Sequence, residues 1–192
     1  AAAHTVNRNG KTTRYVLYTG FAYDTREQRK NDSHAAAGLA ELFVLEKTGN
    51  AWHIAQHGKS EVGAWGETPQ EWQFVQVGTQ NWGYQAEDGF TNGGATVTGQ
   101  FFIFTDNSRV ATSYIPNSSD NGGMYGDCSD YTGAEKRHCQ NNQVSLAAQI
   151  RFNRAAEQNG VWGIQATLSG QDRQKRYTQQ PYAMPYNSRQ HR

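Results

Sequence analysis

The sequence predicts an all-β fold, a single-domain antiparallel β-sandwich or flattened barrel with one disulfide-closed loop. Three observations carry that reading. Apolar residues alternate with polar ones almost throughout, turn residues separate the alternating runs, and the chain's two cysteines stand close together in a polar, glycine-rich loop. Period-two alternation buries one face of a strand and wets the other, which is the antiparallel signature.

Taken in order, the predicted strands are residues 14–23, 39–47, 51–57, 72–77, 82–87, 96–105, 109–115, 144–153, 161–169 and 177–182. The alternation is plainest in Glu71-Trp72-Gln73-Phe74-Val75-Gln76-Val77 and in Gln149-Ile150-Arg151-Phe152. Gly49-Asn50 and Asn159-Gly160 are two-residue hairpin signals, because such turns need positive φ. Asn92-Gly93-Gly94 and Asp106-Asn107 bracket the apolar run Phe101-Phe102-Ile103-Phe104. Residues 24–38 read as a long loop with at most one helical turn, and would hold most of any helix. Around ten short strands with turns between them point to a sandwich or barrel. No linker divides the chain, so residues 1–192 read as one domain.

Both polar termini are expected to fray. Residues 6–13 hold Val6 as their one large apolar side chain, and Pro181 and Pro185 interrupt a ladder in the tail. Ordered ends would therefore mean outside support, and exchange of a terminal strand with a second copy is one form of it.

The charged fraction is 18% and the net charge +1, so no global field draws nucleic acid or an anionic membrane. No apolar run is long enough to span a bilayer as a helix. Cys128 and Cys139, with no third cysteine, read as a disulfide and hence an oxidising compartment. The start Ala1-Ala2-Ala3-His4 resembles what leader cleavage leaves behind. Together these predict an exported protein, periplasmic or extracellular.

No catalytic motif stands out. His53 and His57 are four apart, but on a strand that is about 13 Å, too far to share one zinc. Asp32-Ser33-His34 has the residue types of a triad without its geometry, and no Gly-x-Ser-x-Gly elbow exists. Glu61, Glu67, Glu71, Glu87 and Asp88 among tryptophans keep a carboxylate-dependent glycoside hydrolase open as an alternative. Asp106, Asn107, Asp120, Asn121, Asp127 and Asp130 are oxygen donors of the kind calcium takes. The EF-hand spacing is absent, so turn chemistry is the better reading, with Asp120, Asp127 and Asp130 as the calcium candidates. No other cofactor is expected.

Trp-Gly occurs three times, at Trp65-Gly66, Trp82-Gly83 and Trp162-Gly163. Glycine in a strand marks a bulge or a close approach, and a neighbouring indole covers the gap. At least two of these rings are expected to be buried. The remaining candidates for a recognition surface are Trp65, Trp82, Tyr84, Tyr125 and Tyr131. The function expected is non-enzymatic binding of a protein or glycan outside the cytoplasm. A structural subunit of a surface filament or coat, self-associating through its termini, is the alternative.

Overall fold

The computed structural model describes residues 1–187. It is 64% strand and 9% helix, and its two large sheets are antiparallel throughout. One sheet has four strands in the order β1-β2-β5-β6: β1 (Ala2–Arg8), β2 (Lys11–Gly20), β5 (Gly38–Thr48) and β6 (Ala51–Val62). Between β2 and β5, β3 (Tyr23–Asp24) and β4 (Arg29–Lys30) form a small hairpin. The second sheet is a seven-stranded meander. It runs from β7 (Gln73–Gln76) through β8 (Trp82–Asn92), β9 (Ala95–Thr105) and β10 (Val110–Asp120) to β11 (Val144–Gln158), β12 (Val161–Asp172) and β13 (Lys175–Met184).

All ten predicted strands are present, several of them longer than predicted. The helix lies elsewhere than expected. Residues 24–38 hold the β3–β4 hairpin and no helix. The helical residues sit in the cysteine loop instead, as α1 (Gly122–Tyr125), a 3-10 turn at Cys128–Asp130 and α2 (Gly133–Asn142). Ala134, Glu135, Lys136 and Arg137 are strong helix formers. They carry no apolar stripe, and Cys139 is the one buried residue of α2, so hydrophobic periodicity is blind to this helix.

The expectation of a fraying N-terminus is also corrected. Ala2–Arg8 pairs with Lys11–Leu17 of the same chain through an Asn9-Gly10 turn with both residues at positive φ. Polar His4 does part of the anchoring: its ring stacks on Phe74 at 4.4 Å and its Nδ1 lies 3.1 Å from the Tyr84 hydroxyl. Ala2 and Val6, on the same face, pack on the core. The described part of the C-terminal tail is held as well, while the last five positions of the tail expected to fray, 188–192, lie outside the described residues. Pro181 sits on the edge strand β13, where a missing donor costs little, and Tyr186 is buried.

Two apolar clusters follow from the alternation of β9. Phe101 and Ile103 face the four-stranded sheet and pack with Tyr15, Leu17, Ala40, Leu42, Val44 and Tyr84, which makes the sandwich core. Phe102 and Phe104 face the other way, into a curl of the seven-stranded sheet, with Val77, Ala111, Val161 and Tyr186.

Burial sets a pH limit on this arrangement. It raises the phenols of Tyr15, Tyr84 and Tyr114, that of Tyr84 to about 12. Burial, then the hydrogen bond to Asp106, raises Tyr186 further. A raised phenol favours the protonated folded state. Its contribution is complete below the unfolded value of about 10 and is lost as pH climbs through the folded values. Melting temperature should therefore fall above about pH 10. Phenolate absorbance from these four tyrosines should appear only above the range of a free phenol. One phase centred near pH 10 in folded protein would contradict this.

Candidate functional site

The curl of the seven-stranded sheet makes a trough that is latched at one end. Trp162 N–H, in β12, donates to the carbonyl of Val77 at 2.8 Å, just beyond β7 at the opposite edge of the sheet. The approach demands glycine: a Cβ on Gly78 would lie 1.6 Å from the Gly160 carbonyl oxygen. Asn81, only 2% exposed, ties the junction together. Its amide donates to the Asn107 side chain at 2.7 Å and to the Gly160 carbonyl at 2.9 Å. Its side-chain oxygen accepts from Thr105 Oγ1 at 2.9 Å and from Asn107 N–H at 3.1 Å. Beside it, buried Asp106 accepts from Ser108, from Arg109 N–H and from the Tyr186 hydroxyl.

Away from the latch the sheet opens. β10 is paired with β9 along its length, and β11 with β12. To each other they pair only from Ser118 to Asp120 against Ser145 to Ala147. Pro116 lacks an N–H and a register shift follows it, between Pro116 and Ser118, which bends β10 where the β10–β11 ladder ends. Between the parted strands lies a slot of about 590 Å³. Thr112 to Pro116 of β10 line one side, Phe152 with Trp162, Gly163 and Ile164 the other, and Met184 and Tyr186 of the chain's own C-terminal segment close part of it. Phe102, Phe152 and Ile164 also floor an adjoining concavity of about 480 Å³. Its rim is polar: Glu71, Gln73, Gln85, Glu87, Gln100, Asn117 and Arg151. An apolar slot opening on a polar mouth, of this size, is the usual form of a ligand site.

The recognition candidates read from sequence are dispersed. Tyr84 is wholly buried and donates to the Tyr15 carbonyl, so it is a core residue and is corrected out of any surface set. Trp82 is half-buried against the sandwich core with the Arg8 guanidinium over its ring. Trp162 is buried, so one of the three Trp-Gly rings is fully buried and a second half-buried, short of the two buried rings expected. Trp65 is 59% exposed, at positive φ, edge-on to His34. Tyr125 and Tyr131 line a shallow concavity with Glu135 and His138, on the loop that the Cys128–Cys139 disulfide closes.

The calcium candidates act as turn and cap acceptors. Asp120 accepts from Gly122 N–H and Asp127 from Ser129 N–H, each at 2.8 Å, while Asp130 is exposed. Among the described residues no three His, Cys, Asp or Glu side chains gather as a metal cluster. His53 and His57 lie on β6 and face different carboxylates, Glu46 and Glu41.

The slot residues were not read as a site from sequence. Ile150 and Phe152 carry the same alternation as any half-buried strand, and nothing local says that the neighbouring strand stands off. The one usable signal is Pro116, which cannot continue a ladder.

Comparison with protein-family models, curated proteins and solved structures finds no match. What the trough can do follows from its own geometry.

Proposed function

We propose that this chain is an exported, non-enzymatic binding module whose partner, outside the cytoplasm, seats in the trough of the seven-stranded sheet. The observation that carries the reading is the continuity of the apolar slot with its polar mouth through Phe102, Phe152 and Ile164. The disulfide suits an oxidising compartment, and no helix among the described residues is long and apolar enough to cross a membrane.

The glycosidase alternative would rest on Glu71 and Glu87, both on the rim. Both are exposed, and neither is anchored by a hydrogen bond or ion pair, whereas a catalytic pair must be held in place. The filament-subunit alternative loses its N-terminal donor strand, because β1 is already paired within its own chain.

The test is titration with an environment-sensitive apolar dye, anilinonaphthalene sulfonate. Saturable one-site fluorescence enhancement is expected, lost in Phe152→Glu and kept in Trp65→Ala, with both variants folded by circular dichroism. A dye that ignores the folded protein, or binds Phe152→Glu equally well, would reject the trough as a site.

A further inference from the structure

We infer that the slot between β10 and β11 accepts an extended polypeptide segment as an inserted strand. The inference rests on the trough being the binding site, and it names the chemistry of the occupant.

Strand edges, not only apolar side chains, bound the slot. Past the Ser118–Asp120 rungs, Val110–Asn117 of β10 has, among the described residues, a ladder partner only on its β9 side. Past Ala147, β11 has one only on its β12 side. Alternate residues of each strand thus direct N–H and C=O groups toward the same gap, and among the described residues the backbone–backbone hydrogen bonds outside the ladders include none from either stretch. Backbone groups beside apolar surface are costly when unpaired. A sugar or an acyl chain cannot match two rows of them at strand spacing. A polypeptide backbone can, and adding a strand to an open edge is an established recognition mode.

The side chains fit the same occupant. Ala111, Ser113 and Ile115 alternate on the inner face of β10, opposite Phe104, Phe102 and Gln100. Ile150 and Phe152 do so on β11, opposite Ala166 and Ile164. An inserted strand would lay every second side chain on this floor, so those positions should be apolar. It would run parallel to one neighbour and antiparallel to the other, since β10 and β11 are themselves antiparallel. At the mouth it would meet two carboxylates, Glu71 and Glu87, and one cation, Arg151. That balance favours a basic residue at the end of the segment that lies there.

The experiment pans a displayed library of random twelve-residue peptides on the whole folded chain. Selected peptides should alternate apolar and polar residues and carry Lys or Arg near one end. They should compete with anilinonaphthalene sulfonate, lose affinity about tenfold or more on N-methylation of alternate backbone nitrogens, and fail on Ile115→Glu. Hydrogen exchange should slow in Val110–Asn117 and in β11 beyond Ala147 when peptide is bound. Absence of binders, or binders indifferent to N-methylation, would overturn the inserted strand while dye binding left the trough as a small-molecule site. Self-association that Ile115→Glu abolishes would instead assign the slot to a second copy. Loss of dye binding itself would remove the underlying reading.

Discussion

Replacing Asn81 with alanine is expected to cost roughly 3 kcal/mol of folding stability and to loosen the latched end of the trough. The side chain is small, yet it makes four hydrogen bonds to three residues in two segments: Thr105, Asn107 twice, and Gly160. Thr105 is buried too, so its hydroxyl would lose its 2.9 Å acceptor and be left with weaker contacts such as that to the Trp82 carbonyl at 3.3 Å. A buried donor or acceptor left unpaired costs about 1–3 kcal/mol, more than the net value of a satisfied bond. Asn107 is exposed and can turn to water, which keeps the total near the lower sum. Asn81→Leu, which preserves bulk but not hydrogen bonding, should do no better. Asn81→Asp should do no better than Asn81→Ala: it keeps the acceptor for Thr105 and Asn107 N–H, but its buried carboxylate would face the Gly160 carbonyl and the Asn107 side-chain oxygen, to which the amide donates. Denaturant midpoints would measure this. An unchanged midpoint in Asn81→Ala would mean that the Val77–Trp162 bond and the close glycine contact hold the latch alone.

The latch and the slot are linked by one feature of the sheet. A seven-stranded meander that twists and curls must either close or stay open. Here β12 meets the end of β7 at a backbone bond while β10 and β11 part, and both residues of that bond, Val77 and Trp162, also line the slot. Weakening the latch should therefore alter the slot, and Asn81 variants are expected to bind an apolar dye with changed affinity though the residue does not line it.

Much of this architecture is legible in the sequence, and the parts that are not share a physical cause. Period-two runs and Asn-Gly turns locate the strands, because burial of one face and positive φ are local demands. β1 escapes that logic: its contacts are made by a histidine ring on Phe74 and by one valine, not by an apolar series. The turn that ends it, Asn9-Gly10, is the same chemistry that marks Asn159-Gly160, and it is the signal that could have found the strand. α2 escapes because it is polar all round and held by a covalent bond. Tyr84 reads as a surface ring and lies in the core, since a hydroxyl that reaches the Tyr15 carbonyl lets a tyrosine be buried. The trough depends on which strands separate, and separation is a property of the sheet rather than of either strand.

Reducing the disulfide is expected to destabilise the protein by about 3 kcal/mol, lowering its melting temperature by roughly 6–12 °C. Cys128 and Cys139 are both buried and 11 residues apart, and they join the 3-10 turn to α2. Polar bonds hold the C-terminal end of α2, where Asn121 Nδ2 donates to the Asn142 carbonyl and Gln171 Nε2 to the Gln140 carbonyl, but apolar packing adds little. α2 has no other buried residue, and its Thr132 N-cap makes no side-chain hydrogen bond. The loop is fastened to the sheet at its base, where Asn121 N–H donates to the Val144 carbonyl and Val144 N–H to the Asn121 side chain. Those bonds adjoin the three rungs that join β10 to β11. Without the covalent tie α2 should melt and these rungs should fray, so the loss should reach the slot as well as the loop. Cys128→Ser with Cys139→Ser should show the same lowered denaturant midpoint as reduced wild type, less helix by circular dichroism, and faster hydrogen exchange at Ser118–Asp120. Full reduction that leaves both midpoint and exchange untouched would show that Asn121 alone secures the junction, and that the disulfide guards the loop without supporting the sheet.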